Sequence, residues 1–323
     1  MCLCVNLRWF EPLMPMKGAW SHFAEDLPNS WGCSMSRKSI LCFVLLLLCG
    51  KGEQPVLAGD VSIRGDVVYG HKAGMALTFD VIQPENPNGA GILYMVSGGW
   101  VSFWIPPQGL VRAERSTPNW FEVLIDHGYT IFVVRHGSSP YFKVPDAVAD
   151  VRRAVRFIRL HAADFNVDPN RLGVFGASAG GHLSLMLGTA SDTGNPQSTD
   201  PVERVSNRVQ AVVAIFPPTR IDEFFKLKEQ FPALDFPVEK ADSVSPLLHV
   251  SSDDPPTLLI HGDKDELVPI DQSERIEAAF RNAKVPTELM VVPGAGHSFN
   301  QKEQIQAQNR MLEWFNTHLA KPE

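Results

Sequence analysis

Three residues, in one order along the chain, have the types needed for nucleophilic acyl transfer. Gly176-Ala177-Ser178-Ala179-Gly180 has the form Gly-x-Ser-x-Gly, and His297 lies in Gly294-Ala295-Gly296-His297-Ser298-Phe299. Between them, the segment from Leu259 to Pro269 carries Asp263, Asp265 and Glu266. A serine hydroxyl is a weak nucleophile until a neighbouring base takes its proton. Histidine serves as that base when a carboxylate fixes its tautomer and stabilises the imidazolium. The spacing therefore predicts Ser178 as nucleophile and His297 as base. Chain order (serine, acid, histidine) admits Asp265, and position alone leaves Asp263 and Glu266 as local competitors. Of the other histidines, His318 falls on the surface of a terminal helix, and His182, one turn after Ser178, reads as a packing residue.

Acyl transfer also needs donors aimed at the oxyanion of the tetrahedral intermediate. The N–H of Ala179 opens a helix and is one candidate. Ser97-Gly98-Gly99-Trp100 directly follows the apolar run from Gly91 to Val96 and offers a second from Gly98 or Gly99, because glycine lets backbone approach a substrate closely. Trp100, Phe103 and Trp104 are expected at the mouth of the substrate pocket, with plain core packing as the equal alternative.

Such residues must be held by the elements around them. Short apolar runs alternate with longer helical patterns, which predicts an α/β fold built on a mostly parallel sheet covered on both faces. Strands are expected at residues 77–82, 91–96, 130–134, 171–175, 211–216, 257–260 and 288–292. Helices are expected at 145–163, 179–189, 272–282 and 304–319. On the first helix Arg152, Arg153, Arg156 and Arg159 lie opposite the apolar stripe and read as a solvated face. Residues 217–245 carry Phe224, Phe225, Phe231 and Phe236 and are too long for an ordinary connection, so a small cap over the site is expected there.

The 323 residues carry a net charge of −7, and residues 59–323 have no basic run and no interleaving of basic and aromatic residues, which argues against nucleic acid as a partner. Residues 36–50 begin with a short basic stretch and continue into an apolar core from Ile40 to Cys49, too short to span a bilayer. The reading is a signal peptide over 35–58 cleaved after Ala58, preceded by residues 1–34 from a misplaced start codon. The mature chain, 59–323, would then be exported to the periplasm or the exterior with no integral membrane span. All five cysteines precede residue 59, so the mature chain is held by its core rather than by disulfides, and cysteine drops out as nucleophile or metal ligand. Serine, histidine, aspartate and backbone donors complete the apparatus, so no metal and no organic cofactor is called for.

Residues 65–320 resemble the acetyl-esterase/lipase-type α/β-hydrolases, the carboxylesterase branch that includes feruloyl and acetyl-xylan esterases. The resemblance rests on Ser97 to Trp100, on Asp168-Pro169-Asn170-Arg171-Leu172 leading into Gly176 to His182, on Asp254-Pro255-Pro256-Thr257, on His261 to Pro269, and on Gly296-His297. It implies the α/β-hydrolase fold and selects Asp265, three residues before Val268, as the acid. It implies a short-chain or carbohydrate-linked carboxylic ester as substrate, either a small molecule or attached to a polysaccharide. The loop of that family usually begins with histidine, where this chain has Ser97; the glycine donors survive the change, but the hydrogen bonding that orients the loop must differ. Related formamidases carry His-Gly-Gly-x-Trp, so Trp100 keeps amide substrates open. A prolyl-oligopeptidase-type peptidase shares the triad but normally has a large extra domain, for which residues 59–323 leave no room. A non-catalytic binding protein on this fold would be marked by a lost triad member, and none is lost.

Overall fold

The computed structural model describes residues 61–111 and 119–321. The expected signal peptide and the extension before it lie outside the described residues. Eight strands form one sheet: β1 (Val61–Lys72), β2 (Met75–Pro84), β3 (Gly91–Met95), β4 (Thr130–Val134), β5 (Leu172–Ala177), β6 (Ala211–Ile215), β7 (Thr257–Gly262) and β8 (Thr287–Val292). Their order is β1-β2-β4-β3-β5-β6-β7-β8. β1 pairs antiparallel with β2 and β2 antiparallel with β4; every pairing from β4 onward is parallel. Strands β4, β6 and β7 are buried along their whole length. That is why they read as continuous apolar runs rather than as alternations.

Among the described residues six helices cover the sheet: α1 (Pro107–Val111), α2 (Trp120–Ile125), α3 (Val144–Leu160), α4 (Ala179–Thr189), α5 (Asp271–Asn282) and α6 (Gln301–His318). One core cluster joins the sheet to α3, α4 and α5 through Val151, Val155, Leu183, Leu187, Ile276 and Phe280. The other joins the opposite face to α1, α2 and α6 through Leu110, Phe121, Met311 and Phe315. The chain leaves β3 toward β4 on one side and leaves β5 toward β6 on the other. A crevice opens where neighbouring parallel strands diverge in this way, at their C-terminal ends. The glycine loop after β3 and the serine turn after β5 meet there.

Two expectations need correction. The sheet begins at residue 61 rather than 77: β1 carries Gly65, Gly70 and several charges, and its pairing slips between Arg64 and Val67 and again between Val68 and Gly70. Such bulges destroy the period-2 signal. The arginine face of α3 is not solvated. Arg156 is buried, donates to the Val205 carbonyl at 2.9 Å and pairs with Asp192. Arg153 pairs with Asp200 at 2.6 Å and Glu203 at 2.9 Å, and Arg152 donates to the Ala190 carbonyl at 2.6 Å. Arg159 donates to the Pro169 carbonyl at 3.0 Å and also reaches Ser206 and Arg208. The row is an anchor for the 190–208 segment, whose carbonyls have few strand or helix partners.

Residues 217–245 form short 3₁₀ turns at Ile221–Leu227, Pro232–Leu234, Val238–Lys240 and Asp242–Val244. Ile221, Phe224, Leu234 and Val244 join the α3–α5 core cluster. The segment is closed on itself by Ser245 Oγ, which accepts from the Ile221 N–H and donates to the Ala241 carbonyl, both at 2.9 Å. Among the described residues no helix is long and apolar enough to cross a membrane.

Candidate active site

Ser178 sits between β5 and α4 with φ 54 and ψ −121, a left-handed backbone that costs a non-glycine residue of order 1–3 kcal/mol. Its neighbours show why the turn is built from small residues. A Cβ on Gly176 would lie 2.5 Å from the Gly180 carbonyl, and one on Gly180 would lie 2.6 Å from the Met95 oxygen. The Ser178 N–H donates to the Ile215 carbonyl at 2.9 Å, tying the turn to β6. The strain is thereby held in place and the hydroxyl projects above the sheet.

His297 comes from the loop after β8. Its Nε2 lies 2.9 Å from Ser178 Oγ and its Nδ1 lies 2.6 Å from Asp265 Oδ2. The ring leans on Phe216, centroid to centroid 4.4 Å. Asp265 comes from the loop after β7, with its other oxygen, Oδ1, accepting the N–H groups of Leu267 at 3.0 Å and Val268 at 2.9 Å. A buried histidine, His261, places Nε2 3.4 Å from Asp265 Oδ2. Burial alone would raise the Asp265 carboxyl, but hydrogen bonds from His261, His297 and the Val268 N–H hold it well below the usual carboxylate range. It is therefore an anion at any ordinary pH. The competing carboxylates stand elsewhere. Asp263 is exposed and accepts from the Gly294 N–H at 2.6 Å, so it supports the loop that carries His297, and Glu266 is exposed.

The glycine loop departs from expectation at one residue. The Gly98 N–H donates to the Val101 carbonyl at 3.0 Å, and the Val101 N–H returns to Gly98 at 2.9 Å, closing a tight turn. Gly98 is therefore not a free donor; its amide already has a partner. Gly99 and Trp100 follow at φ 55 and 58. Among the described residues neither of their N–H groups, nor that of Ala179 at the start of α4, meets an acceptor. The Trp100 amide is thus a candidate donor that the sequence did not reveal.

Trp100 is buried, and its indole N–H donates to His182 Nδ1 at 3.2 Å. His182 Nε2 in turn lies 2.7 Å from the Val244 carbonyl. Burial pushes the His182 pKa down to about 4, the Val244 hydrogen bond opposing, so the ring is neutral and donates from Nε2. The packing role expected for His182 includes this bridge between the glycine loop and the 217–245 segment. Ser97, also buried, places its Oγ 2.9 Å from Nε2 of His136, a residue from the end of β4.

Ser178 and His297 open on a cavity of about 260 Å³ walled by Trp100, Phe216, Phe224, Phe231 and Leu234, with Leu267 and Val268 beside Asp265. Nothing in the sequence marks Phe231 and Leu234 as pocket residues, because the 217–245 segment has no period that tells an inward side chain from an outward one. Phe103 and Trp104 are not in this cavity. They are 52% and 60% exposed and border a separate shallow recess of about 160 Å³ beside Arg135 and His136. The bridge between Gly98 and Val101 turns the chain away from the serine before it reaches them. Among the described residues no group of three or more histidine, cysteine, aspartate or glutamate side chains is placed to hold a metal ion.

An eight-stranded, mostly parallel sheet with helices on both faces, carrying a serine turn and a histidine loop at its strand ends, defines the α/β-hydrolase class. Within that class the chain belongs to the BD-FAE family, whose model matches residues 80–280. It is 27% identical over 260 residues to a probable carboxylic ester hydrolase, LipM, of Mycobacterium tuberculosis, covering 75% of this chain and 57% of that protein. It is 26% identical over 225 residues to an acetylxylan esterase of Xylanibacter ruminicola, covering 67% of this chain and 42% of the relative. The chain spans about half the length of these relatives. A solved acetyl ester-xyloside bifunctional hydrolase from Caldicellulosiruptor lactoaceticus superposes with TM-score 0.67 at 26% identity, over 79% of this chain and 96% of that one.

Proposed function

We propose that this chain is an exported serine carboxylesterase that hydrolyses short-chain or carbohydrate-linked carboxylic esters. The observation that carries the reading is the unbroken hydrogen-bonded chain from Ser178 Oγ through His297 to Asp265, opening on an apolar cavity. In the first half-reaction Ser178 Oγ attacks the ester carbonyl carbon while His297 Nε2 takes its proton. Asp265 holds the resulting imidazolium. The N–H groups of Ala179 and Gly99, with that of Trp100, receive the oxyanion. Collapse expels the alcohol, which takes the proton from His297, and leaves an acyl-serine. Water, deprotonated by His297, then releases the acid and restores Ser178.

Two kinds of support favour esters. The relatives and the solved neighbour bear esterase names, and a cavity of about 260 Å³ with aromatic walls suits a small acyl group. In the same reading residues 35–58 are a signal peptide, 59–323 the catalytic domain and 217–245 a cap over the site.

The test is hydrolysis of a chromogenic ester series, acetyl through decanoyl, by the purified protein with Ser178→Ala beside it. Activity confined to the shorter chains and abolished in the variant is the expected result. Undiminished hydrolysis by a folded Ser178→Ala protein would refute the nucleophile. Silence across the series in the wild type would refute the ester reading and move the search to formamide or peptide substrates.

A further inference from the structure

The glycine loop after β3 is held in an unfavourable backbone conformation. Gly99 and Trp100 are consecutive residues with left-handed φ, and Trp100 is not a glycine. Backbone of this kind persists only where the surroundings over-determine it. The loop makes only one pair of backbone hydrogen bonds within itself, between Gly98 and Val101, so its position must be imposed from outside.

The Trp100 indole, bonded to His182, holds one side of it, and the loop that follows β4 holds the other. Ser97 Oγ meets His136 Nε2 at 2.9 Å, and the Ser139 N–H donates to the Trp100 carbonyl at 3.1 Å. Ser138 Oγ accepts from the Ser102 N–H at 2.8 Å and donates to the Ser102 carbonyl at 2.6 Å. The two loops are thus stapled at both ends. The orientation of the His136 ring is fixed in turn. Its Nδ1 lies 2.9 Å from the Gly137 carbonyl, which makes Nδ1 the protonated nitrogen and leaves Nε2 to accept from the Ser97 hydroxyl. The Gly137 N–H donates to Asp150 Oδ2 at 2.9 Å, and the other oxygen of that buried carboxylate takes Lys72 Nζ at 2.9 Å. Gly137 also lies under the Phe142 ring, where a Cβ would approach to 2.5 Å.

We propose that His136 is a positioning residue for the oxyanion loop, acting through the Ser97 hydroxyl to hold the Gly99 and Trp100 N–H groups at the place where the tetrahedral oxygen forms. The proposal rests on the esterase reading above, and it names the group that orients a loop whose first residue is serine. His136 touches no reacting atom. Its effect falls on kcat, because a donor displaced by about 1 Å costs on the order of a hundredfold while ground-state binding in the apolar cavity is unaffected.

The experiment compares wild type, Ser97→Ala, His136→Ala, the double variant and His136→Gln, whose amide oxygen can still accept from Ser97. Turnover of an acetyl ester and amide hydrogen exchange over residues 97–102 are measured, with thermal unfolding followed alongside. Each single alanine variant is expected to lower kcat roughly 10–100-fold with KM within about threefold. The double variant should be no slower than the slower single, and His136→Gln should recover most of the loss. Exchange at Gly98 to Val101 should quicken in both single variants.

Ser97→Ala removes one oxygen only, so it remains informative if His136→Ala fails to fold. An unchanged loop exchange rate in Ser97→Ala overturns the proposal whatever happens to kcat. So does a loosened loop with undiminished kcat, and so does a double variant whose loss is the product of the singles. If the wild type hydrolyses no ester, the esterase reading falls, and the exchange measurement still decides whether His136 holds the loop.

Discussion

Replacing Asp265 by asparagine exchanges one carboxylate oxygen for an NH₂ group, and the surroundings dictate which one. Oδ1 accepts two backbone N–H groups, from Leu267 at 3.0 Å and Val268 at 2.9 Å. An NH₂ there would set donor against donor, so asparagine keeps its oxygen in that place and turns its nitrogen toward His297. The nitrogen then stands where Oδ2 lies now, 2.6 Å from His297 Nδ1, and donates to it. Nδ1 must become the acceptor and the ring proton moves to Nε2. That is the atom 2.9 Å from Ser178 Oγ, and in this tautomer it can no longer take the serine proton. A wrong tautomer with the geometry otherwise intact costs about 10⁴-fold in kcat, or roughly 5 kcal/mol of barrier. Asp263→Asn provides the contrast. Its exposed side chain accepts only from the Gly294 N–H, at 2.6 Å, and asparagine can still accept there. A substitution of that kind changes matters by about 0.5 kcal/mol, or roughly twofold. The assay is kcat on an acetyl ester for both variants at one pH, with thermal unfolding to show that each is folded. Asp265→Asn retaining more than about a tenth of wild-type kcat, or Asp263→Asn losing as much as Asp265→Asn, would refute the reasoning.

Two further predictions concern the cavity wall and the surface. The Phe231 ring lies against the glycine loop so closely that a Cβ on Gly99 would come within 2.7 Å of it, and it forms part of the cavity wall. Phe231→Ala should shift the preferred acyl chain upward, each additional buried methylene adding about 0.8 kcal/mol, or roughly fourfold in kcat/KM. An unmoved optimum across the ester series would show that the ring does not limit chain length. Burial pushes the Asp254 carboxyl up from 3.8 to about 6, with the neighbouring Asp253 charge adding to it and bonds from Ser251 opposing. A carboxyl whose pKa rises on folding binds more protons in the folded state, so its penalty is absent below about pH 4 and grows as pH rises through about 6. Asp254→Asn should therefore raise Tm at pH 7 and leave it unchanged at pH 4. The limit is roughly 3 kcal/mol and less for a partly solvated group; equal Tm gains at both pH values would contradict the assignment.

The sequence revealed some elements residue by residue and missed others for identifiable reasons. β4 and α4 lie at the residues expected, since a fully buried strand and a helix opening at Gly-x-Ser-x-Gly both leave strong local signals. β1 was invisible because its bulges break alternation. The row of arginines on α3 looked solvated because periodicity records which face of a helix is apolar and nothing of what a distant loop lays across the other face. The relation of Ser178, His297 and one of three acidic residues was legible as chain order. Chain order leaves Asp265 and Asp263 unseparated and the family resemblance chooses Asp265; the structure adds the physical reason, a buried carboxylate two residues from an exposed one. The Gly98 amide illustrates a further limit: a glycine advertises freedom of backbone, and only the fold shows that its N–H is already bonded to Val101. His136 is 39 residues from Ser97, and no local pattern announces such a pair.

The helix that follows Ser178 governs how the protein fails. All eleven residues of α4, Ala179–Thr189, are buried. Its hydroxyls turn back on its own carbonyls, Ser184 to Gly180 at 2.9 Å and Thr189 to Leu185 at 3.0 Å. A helix with one wet face can fray or lift as a local unit, whereas one enclosed on every side has no opening short of dismantling both layers around it. Exchange of its amides with solvent should therefore follow the unfolding of the whole domain, as should any displacement of Ser178. Heat would then act on this site as a switch with two positions, because the backbone that aims the Ser178 hydroxyl shares its lifetime with the core.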